Sequence, residues 1–130
     1  MKNGAIGGVV GGVIFGMIMQ MMGVMPMIAM MVGSESIGVG WILHLIISAF
    51  TGALFGLLFE AKIATSYSAG AGYGLLYGAI WWVLGALILM PAFLGMNDMI
   101  FKIGEMQMFS LMGHIIWGVV MGLIVVKLQK

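Results

Sequence analysis

The sequence contains no cysteine and no arginine, and only 7% of its 130 residues are charged. The absence of cysteine excludes disulfide bonds, thiolate metal ligands and a cysteine nucleophile. The net charge of +1 is too small to indicate nucleic-acid binding. The four acidic residues all fall in connections or at the ends of apolar stretches, and no nucleophile lies at a useful spacing from a base. We therefore expect no enzymatic activity.

Most residues of the chain are apolar. Hydrophobic residues make up 63% of the chain, and the mean hydropathy is +1.22. A soluble domain of this size would leave much of that surface in water, so the expected surroundings are lipid. Four apolar stretches, at about 5–27, 39–59, 70–91 and 108–127, are each long enough to cross a bilayer as a helix. The sequence predicts one transmembrane domain over residues 1–130, an all-α integral membrane four-helix bundle.

The two halves of the chain repeat one another. Each half has one Met-Pro pair, ending at Pro26 or Pro91, and one histidine, His44 or His114, about 20 residues further on. Four glycines also recur with identical spacing: Gly8, Gly12, Gly16 and Gly23 match Gly70, Gly74, Gly78 and Gly85. We interpret this as two helical hairpins, repeat one at about 5–59 and repeat two at about 70–127. With two spans each, they are parallel repeats that set the second and fourth spans opposite one another.

The lysines predict the orientation of the bundle. Four of them, Lys2, Lys62, Lys127 and Lys130, fall at one end of the predicted spans, and only Lys102 falls at the other. Positive residues concentrate on the cytoplasmic side of membrane proteins. We expect a cytoplasmic (inner) membrane location with both termini in the cytoplasm.

The two histidines are the main candidates for a functional site. Each is followed, at spacings of four residues, by small side chains on the same helix face. These are Ser48, Gly52 and Gly56 after His44, and Gly118 and Gly122 after His114. One interpretation is close helix packing with the imidazoles hydrogen-bonded across the interface. The others are axial ligation of b-type haem, and binding of a metal ion or another ligand.

Methionine is abundant, with 16 residues. Met25 and Met90 precede the two prolines at the same end of the bundle as the histidines, so a copper site with thioether ligands is a weaker hypothesis. Flexible apolar packing accounts better for most of the others, because the second half uses plain apolar residues where the first half uses methionine.

Glycine zippers predict where the helices approach closely. Gly8, Gly12 and Gly16 in the first span, and Gly70, Gly74 and Gly78 in the third, recur at four-residue spacing. The sequence leaves open whether the neighbouring helix belongs to the same chain or to another subunit. The segment 93–106 also shows near-helical spacing of apolar residues, which suggests an amphipathic half-helix at the membrane surface.

Five sequence blocks resemble those of a family of small four-helix prokaryotic integral membrane proteins without an assigned activity. The blocks are MMGVMPM (21–27), GWILHL (40–45), GLLYGAIWW (74–82), LMPAFLGM (89–96) and SLMGHIIWG (110–118). The resemblance covers nearly the whole chain and places the histidine positions of that family at His44 and His114. It implies the four-helix architecture, and it implies no mechanism.

These features lead to three functional hypotheses. The first is a non-enzymatic structural or accessory subunit that supports a larger membrane complex or a homo-oligomer. The alternative is a membrane protein that binds b-type haem or copper through His44 and His114. The third is a small transporter or channel, for which only the two histidines and the acidic residues at the outer end suggest a polar path.

Overall fold

The computed structural model describes all 130 residues, and it is helical without any strand. Four helices are long and apolar enough to cross a membrane: Lys2–Met21, Ile37–Ile63, Tyr67–Phe93 and Glu105–Gln129. The all-α four-helix bundle predicted from the sequence is confirmed, and the chain has the character of a multi-pass membrane protein.

The first span is shorter than predicted. Helix α1 (Lys2–Met21) stops before Gly23, whose φ of +74° is the left-handed conformation that commonly ends helices. The short helix α2 (Met25–Ala29) then begins with Pro26 in its first turn, where the missing N–H costs no hydrogen bond. The expected continuous stretch 5–27 is therefore two helices.

The second and third spans are joined by a tight turn. Helix α3 (Ile37–Ile63) begins at Ser36, whose hydroxyl accepts a hydrogen bond from the Val39 N–H. Helix α4 (Tyr67–Trp81) begins in the same way at Ser66, whose hydroxyl accepts from the Ala69 N–H. Both caps satisfy backbone donors where the chain enters the membrane.

The third span continues past α4 through a π-helical segment (Trp82–Leu89) and helix α5 (Met90–Phe93). In the repeat, Gly85 corresponds to Gly23, yet here the helix does not break. The second half has three more residues than the first between this glycine and the proline (Gly85–Pro91 against Gly23–Pro26). A π-helix fits extra residues into a helix by widening its turns, so the insertion becomes a wide segment.

The predicted half-helix over 93–106 is wrong. The only helical part of the connection is a 3₁₀ turn at Asn97–Met99. Phe101 has a φ of +59° and donates its N–H to the Leu87 carbonyl, which folds the connection back onto the π-helical segment. Helix α6 (Glu105–Gln129) then begins, with the Gln107 side chain accepting from the Gly104 N–H.

Both termini lie at one end of the bundle, which we call the terminus end. Glu60 connects them: its carboxylate accepts from Asn3 Nδ2 at 2.6 Å and lies 3.5 Å from the N-terminal amine. Its backbone carbonyl accepts from the Gln129 side chain. The opposite end, which carries the connections 22–36 and 94–104, is the loop end.

The two hairpins pack with the same register. A methyl group built on Gly8 would collide with Gly52 of α3, and the corresponding Gly70 of α4 would collide with Gly122 of α6. Four residues further on, a methyl group on Gly12 would collide with Ser48, and one on Gly74 would collide with Gly118. The partner helix of each zipper is therefore in the same chain. Equivalent residues pair in both halves, as a duplicated hairpin requires.

The contacts between the hairpins do not follow this symmetry. Helix α1 has a second pair of glycines, Gly7 and Gly11, that lie against the backbone of Met121 and Trp117 in α6. In α4 the residues at the corresponding positions are Ala69 and Tyr73. Their side chains prevent the same close approach, and α4 touches α3 much less than α1 touches α6.

As a result the second and fourth spans are not neighbours across an axis. Helices α3 and α6 make little direct contact, and α1 lies between them. Near the terminus end α3 and α4 are joined by aromatic packing of Phe59 with Tyr73 and Tyr77. Beyond Thr51 they diverge toward the loop end. We call the resulting opening, between Ile47 and Thr51 on α3 and Trp81 and Gly85 on the third span, the α3–α4 wedge.

Candidate functional site

His44 lies in the interior of the bundle on α3, seven residues from the start of the helix and so about 10 Å below the loop end. Its side chain is 7% exposed. Its Nε2 lies 2.7 Å from the Gly12 carbonyl of α1, and the imidazole can lie this close because Gly16 has no side chain, a Cβ there being only 3.2 Å from the ring. The imidazole thus joins the two helices of the first hairpin.

His114 lies at a similar depth on α6, nine residues from the start of that helix. Its Nδ1 lies 2.8 Å from the Ser110 carbonyl one turn earlier in the same helix. The Ser110 hydroxyl is further from this nitrogen, at 3.3 Å. Unlike His44, this histidine makes its hydrogen bond within its own helix, so its imidazole does not tie two helices together.

Phe15 of α1 contacts both imidazoles with its aromatic ring. The ring centroids are 5.6 Å apart for Phe15 and His44, and 4.7 Å apart for Phe15 and His114, each in an edge-to-face arrangement. Gly113 leaves the space into which the Phe15 ring fits. The structure therefore brings the two histidines to one place, with an aromatic side chain packed against both.

A cavity of about 100 Å³ adjoins these rings. Its polar wall consists of His44, Ser48, Thr51 and His114. Its aromatic wall consists of Phe15, Trp81 and Trp117. Ile47 and Gly85 complete the lining where the cavity meets the α3–α4 wedge, so its mouth faces sideways out of the bundle. In a bilayer that side lies within the membrane rather than at its polar surface.

This geometry does not fit haem between His44 and His114. A porphyrin ligated on both faces needs a flat space between the imidazoles, and the Phe15 ring packs against both of them. The cavity is also well below the 300–1,000 Å³ of most sites for small molecules.

The methionine candidates lie away from the cavity. Met25 is almost fully buried in α2, where its backbone lies against Gly40 of α3. Met90 packs on the edge of the apolar core. Neither lines the cavity, and no three His, Cys, Asp or Glu side chains lie close enough to hold a metal ion together.

The predicted packing glycines all lie at contacts between helices. Gly8, Gly12, Gly16, Gly52 and Gly56 occupy the α1–α3 contact, and Gly70, Gly74, Gly78, Gly118 and Gly122 occupy the α4–α6 contact. Five other glycines at such contacts were missed, namely Gly4, Gly7, Gly11, Gly40 and Gly113. Gly7 and Gly11 were detectable, since they form a second four-residue spacing one position before the first.

The aromatic wall as a whole was not predictable from the sequence. Phe15, Trp81 and Trp117 come from three different helices, so no spacing along the chain relates them.

The site and fold together define a class, a small membrane-spanning four-helix bundle with a laterally open polar cavity. No family model, curated protein or solved structure matches this chain. The functional argument therefore depends on the geometry.

Proposed function

We propose that this chain is a non-enzymatic, multi-pass protein of the cytoplasmic membrane that serves as a structural or accessory subunit of a larger membrane complex. In this proposal the α3–α4 wedge receives one transmembrane helix of a partner subunit. The lack of catalytic groups supports the non-enzymatic part, because the four acidic residues lie at the ends of the bundle and the interior holds only two ionisable imidazoles.

The wedge is the observation that carries the proposal. In the third span 17% of the most apolar window is buried, against 33% to 39% in the other three spans. The glycine zippers are already occupied within the chain, so they offer no further close-packing face. A helix placed in the wedge would complete the one side of the bundle where neighbouring helices do not pack closely.

The absence of cysteine allows a clean test of this contact. We would introduce a single cysteine at Ile47, at the mouth of the wedge, and attach a photoactivatable cross-linker in native membranes. The control is Ile42→Cys, an exposed position on the same helix that helical periodicity turns about 140° away from Ile47.

We expect a discrete protein adduct from Ile47→Cys and none from Ile42→Cys. A mass that is a multiple of 13.9 kDa would identify a second copy as the occupant, and any other mass a different subunit. If Ile47→Cys yields only lipid adducts, the wedge faces the bilayer and the proposal is wrong.

The proposed orientation rests on the charges at the two ends. Lys2, Lys62, Lys127 and Lys130 lie at the terminus end, which we place in the cytoplasm. A membrane-impermeant maleimide applied to intact cells should label Ser34→Cys, in the loop end, and leave Ser66→Cys unlabelled until the cells are opened. The reverse pattern would invert the topology.

A further inference from the structure

The hydrogen bonds of the two histidines determine which ring nitrogens remain free. A carbonyl oxygen only accepts, so His44 Nε2 and His114 Nδ1 must both carry a proton to bond Gly12 and Ser110. No carboxylate lies inside the bundle to balance an imidazolium, so burial favours the neutral rings. His44 Nδ1 and His114 Nε2 are then bare acceptors.

These two nitrogens have no partner in the protein. The structure contains no hydrogen bond to either of them. Every side-chain nitrogen or oxygen that is fully enclosed in this protein does have a hydrogen-bond partner, so these two nitrogens are not fully enclosed. Both nitrogens must therefore touch open space, and the cavity is the space that both side chains line. Ser48, a buried residue that is 3% exposed, lines the same cavity. The polar groups of the lining are therefore two free acceptor nitrogens, the Ser48 hydroxyl, and the Thr51 hydroxyl, which already donates to the Ile47 carbonyl.

A ligand that fits this lining would carry a hydrogen-bond donor on an apolar ring. The rest of the lining is aromatic, and the mouth opens at Ile47 and Gly85 into the α3–α4 wedge. A compound dissolved in the bilayer can reach the mouth without crossing the polar ends. An enclosed apolar cavity of about 150 Å³ holds a benzene ring. This cavity is smaller but open on one side, so a single ring enters with part of it in the mouth.

We infer that the cavity is a binding site for the hydroxyl-bearing ring of a lipid-soluble phenol or hydroquinone, held by a hydrogen bond that the ring hydroxyl donates to His114 Nε2. The inference concerns binding only, with no change to the ligand. It does not depend on the proposed accessory role, since it needs only the isolated chain.

The test uses two matched probes and the purified protein in lipid nanodiscs. 4-Fluorophenol carries the donor, and 4-fluoroanisole has the same ring with the hydroxyl capped by a methyl group. Binding is followed by ¹⁹F NMR, with empty nanodiscs to subtract partition into lipid. We expect saturable binding of 4-fluorophenol and at least tenfold weaker binding of 4-fluoroanisole.

Two variants locate the site. Gly85→Leu places a side chain in the mouth of the cavity. The bundle should tolerate this substitution, because a Cβ at Gly85 would meet only the Trp81 ring, at an ordinary contact distance of 3.9 Å. Gly72→Leu is its control on the same span, at a position where a side chain meets nothing. His114→Phe removes one acceptor and keeps an aromatic ring. We expect at least tenfold weaker binding in Gly85→Leu and His114→Phe, and no change in Gly72→Leu.

Each opposite result overturns the inference. Absence of saturable 4-fluorophenol binding would leave water as the occupant. Equal binding of both probes would show that the acceptors play no part. Unchanged binding in Gly85→Leu, in a variant whose helical circular dichroism and melting match those of the parent, would place the ligand elsewhere.

Discussion

The Tyr77 hydroxyl donates a hydrogen bond of 2.7 Å to the backbone carbonyl of Thr51. This bond links α4 to α3 where the α3–α4 wedge begins to open. In the repeat, Tyr77 corresponds to Phe15, so a phenylalanine ring suits this position in the other hairpin. The hydroxyl is therefore what adds the tie between the two helices.

We expect Tyr77→Phe to lower the free energy of unfolding by about 1 kcal/mol, because it removes the hydrogen bond between the two helices and keeps the ring packing. Unfolding in mixed detergent micelles measures this. The control is Tyr73→Phe, since the Tyr73 ring packs on Phe59 and its hydroxyl makes no hydrogen bond in the structure. Equal losses in the two variants would contradict the assignment.

Gly118 and Gly74 are packed backbone to backbone, and a methyl group on either would collide with the carbonyl oxygen of the other. Backbone cannot move aside as a flexible side chain can. We expect Gly118→Ala to destabilise the bundle by about 2 kcal/mol, within the usual range for overpacking.

The comparison variant for this contact is Gly72→Ala, on α4 but with open space around the new methyl group. It should be neutral or slightly stabilising, because alanine is the better helix former. Thermal melting in detergent distinguishes the two variants. A Gly118→Ala protein as stable as Gly72→Ala would show that α4 and α6 are not in contact at this point.

A haem titration tests the packing of Phe15 against the two histidines. Because the Phe15 ring packs against both imidazoles, we expect added haemin to give no saturable Soret band with the spectrum of two histidine ligands. Ultraviolet–visible titration of the purified protein measures this, with His44→Ala as the control for adventitious binding. A stoichiometric band that disappears in His44→Ala would mean that Phe15 moves aside.

The fold was predictable because composition and spacing act through simple physical rules. Long apolar stretches in a bilayer must form helices, since no water is available to satisfy open backbone. The recurrence of Gly8, Gly12 and Gly16 as Gly70, Gly74 and Gly78 indicated the close helix contacts, which the structure places within the chain. Equivalent glycines need not have equivalent roles, however. Gly23 ends a helix with a positive φ, and Gly85 lies inside a continuous one.

The site was predictable only in part. Spacing along the chain brought His44 and His114 to similar depths, but it carried no information on Phe15, which reaches them from a third helix. The asymmetry of the bundle was present in the sequence as Gly7 and Gly11 against Ala69 and Tyr73. The effect of this difference on packing could not be predicted, because the sequence does not show that α1, rather than α3, packs on α6.

Gly11 lies at the contact between α1 and α6 that makes the bundle asymmetric. A methyl group on Gly11 would collide with the Trp117 carbonyl at 2.7 Å, in the contact that holds the two hairpins together. The Trp117 indole also donates to the Gly8 carbonyl at 3.1 Å, so pushing the helices apart would break this bond as well. We expect Gly11→Ala to cost about 2 kcal/mol of unfolding free energy and to change tryptophan fluorescence.

Gly38→Ala is the control, because its methyl group would meet only the Ser36 hydroxyl, at 3.6 Å. If the hairpins associate through α1 and α6, only Gly11→Ala should separate them. Two cysteines placed on the facing helices would then cross-link less efficiently in that variant. Unchanged stability and cross-linking in Gly11→Ala would mean that the hairpins are held together elsewhere. The explanation of the α3–α4 wedge by the close contact of α1 with α6 would then be wrong as well.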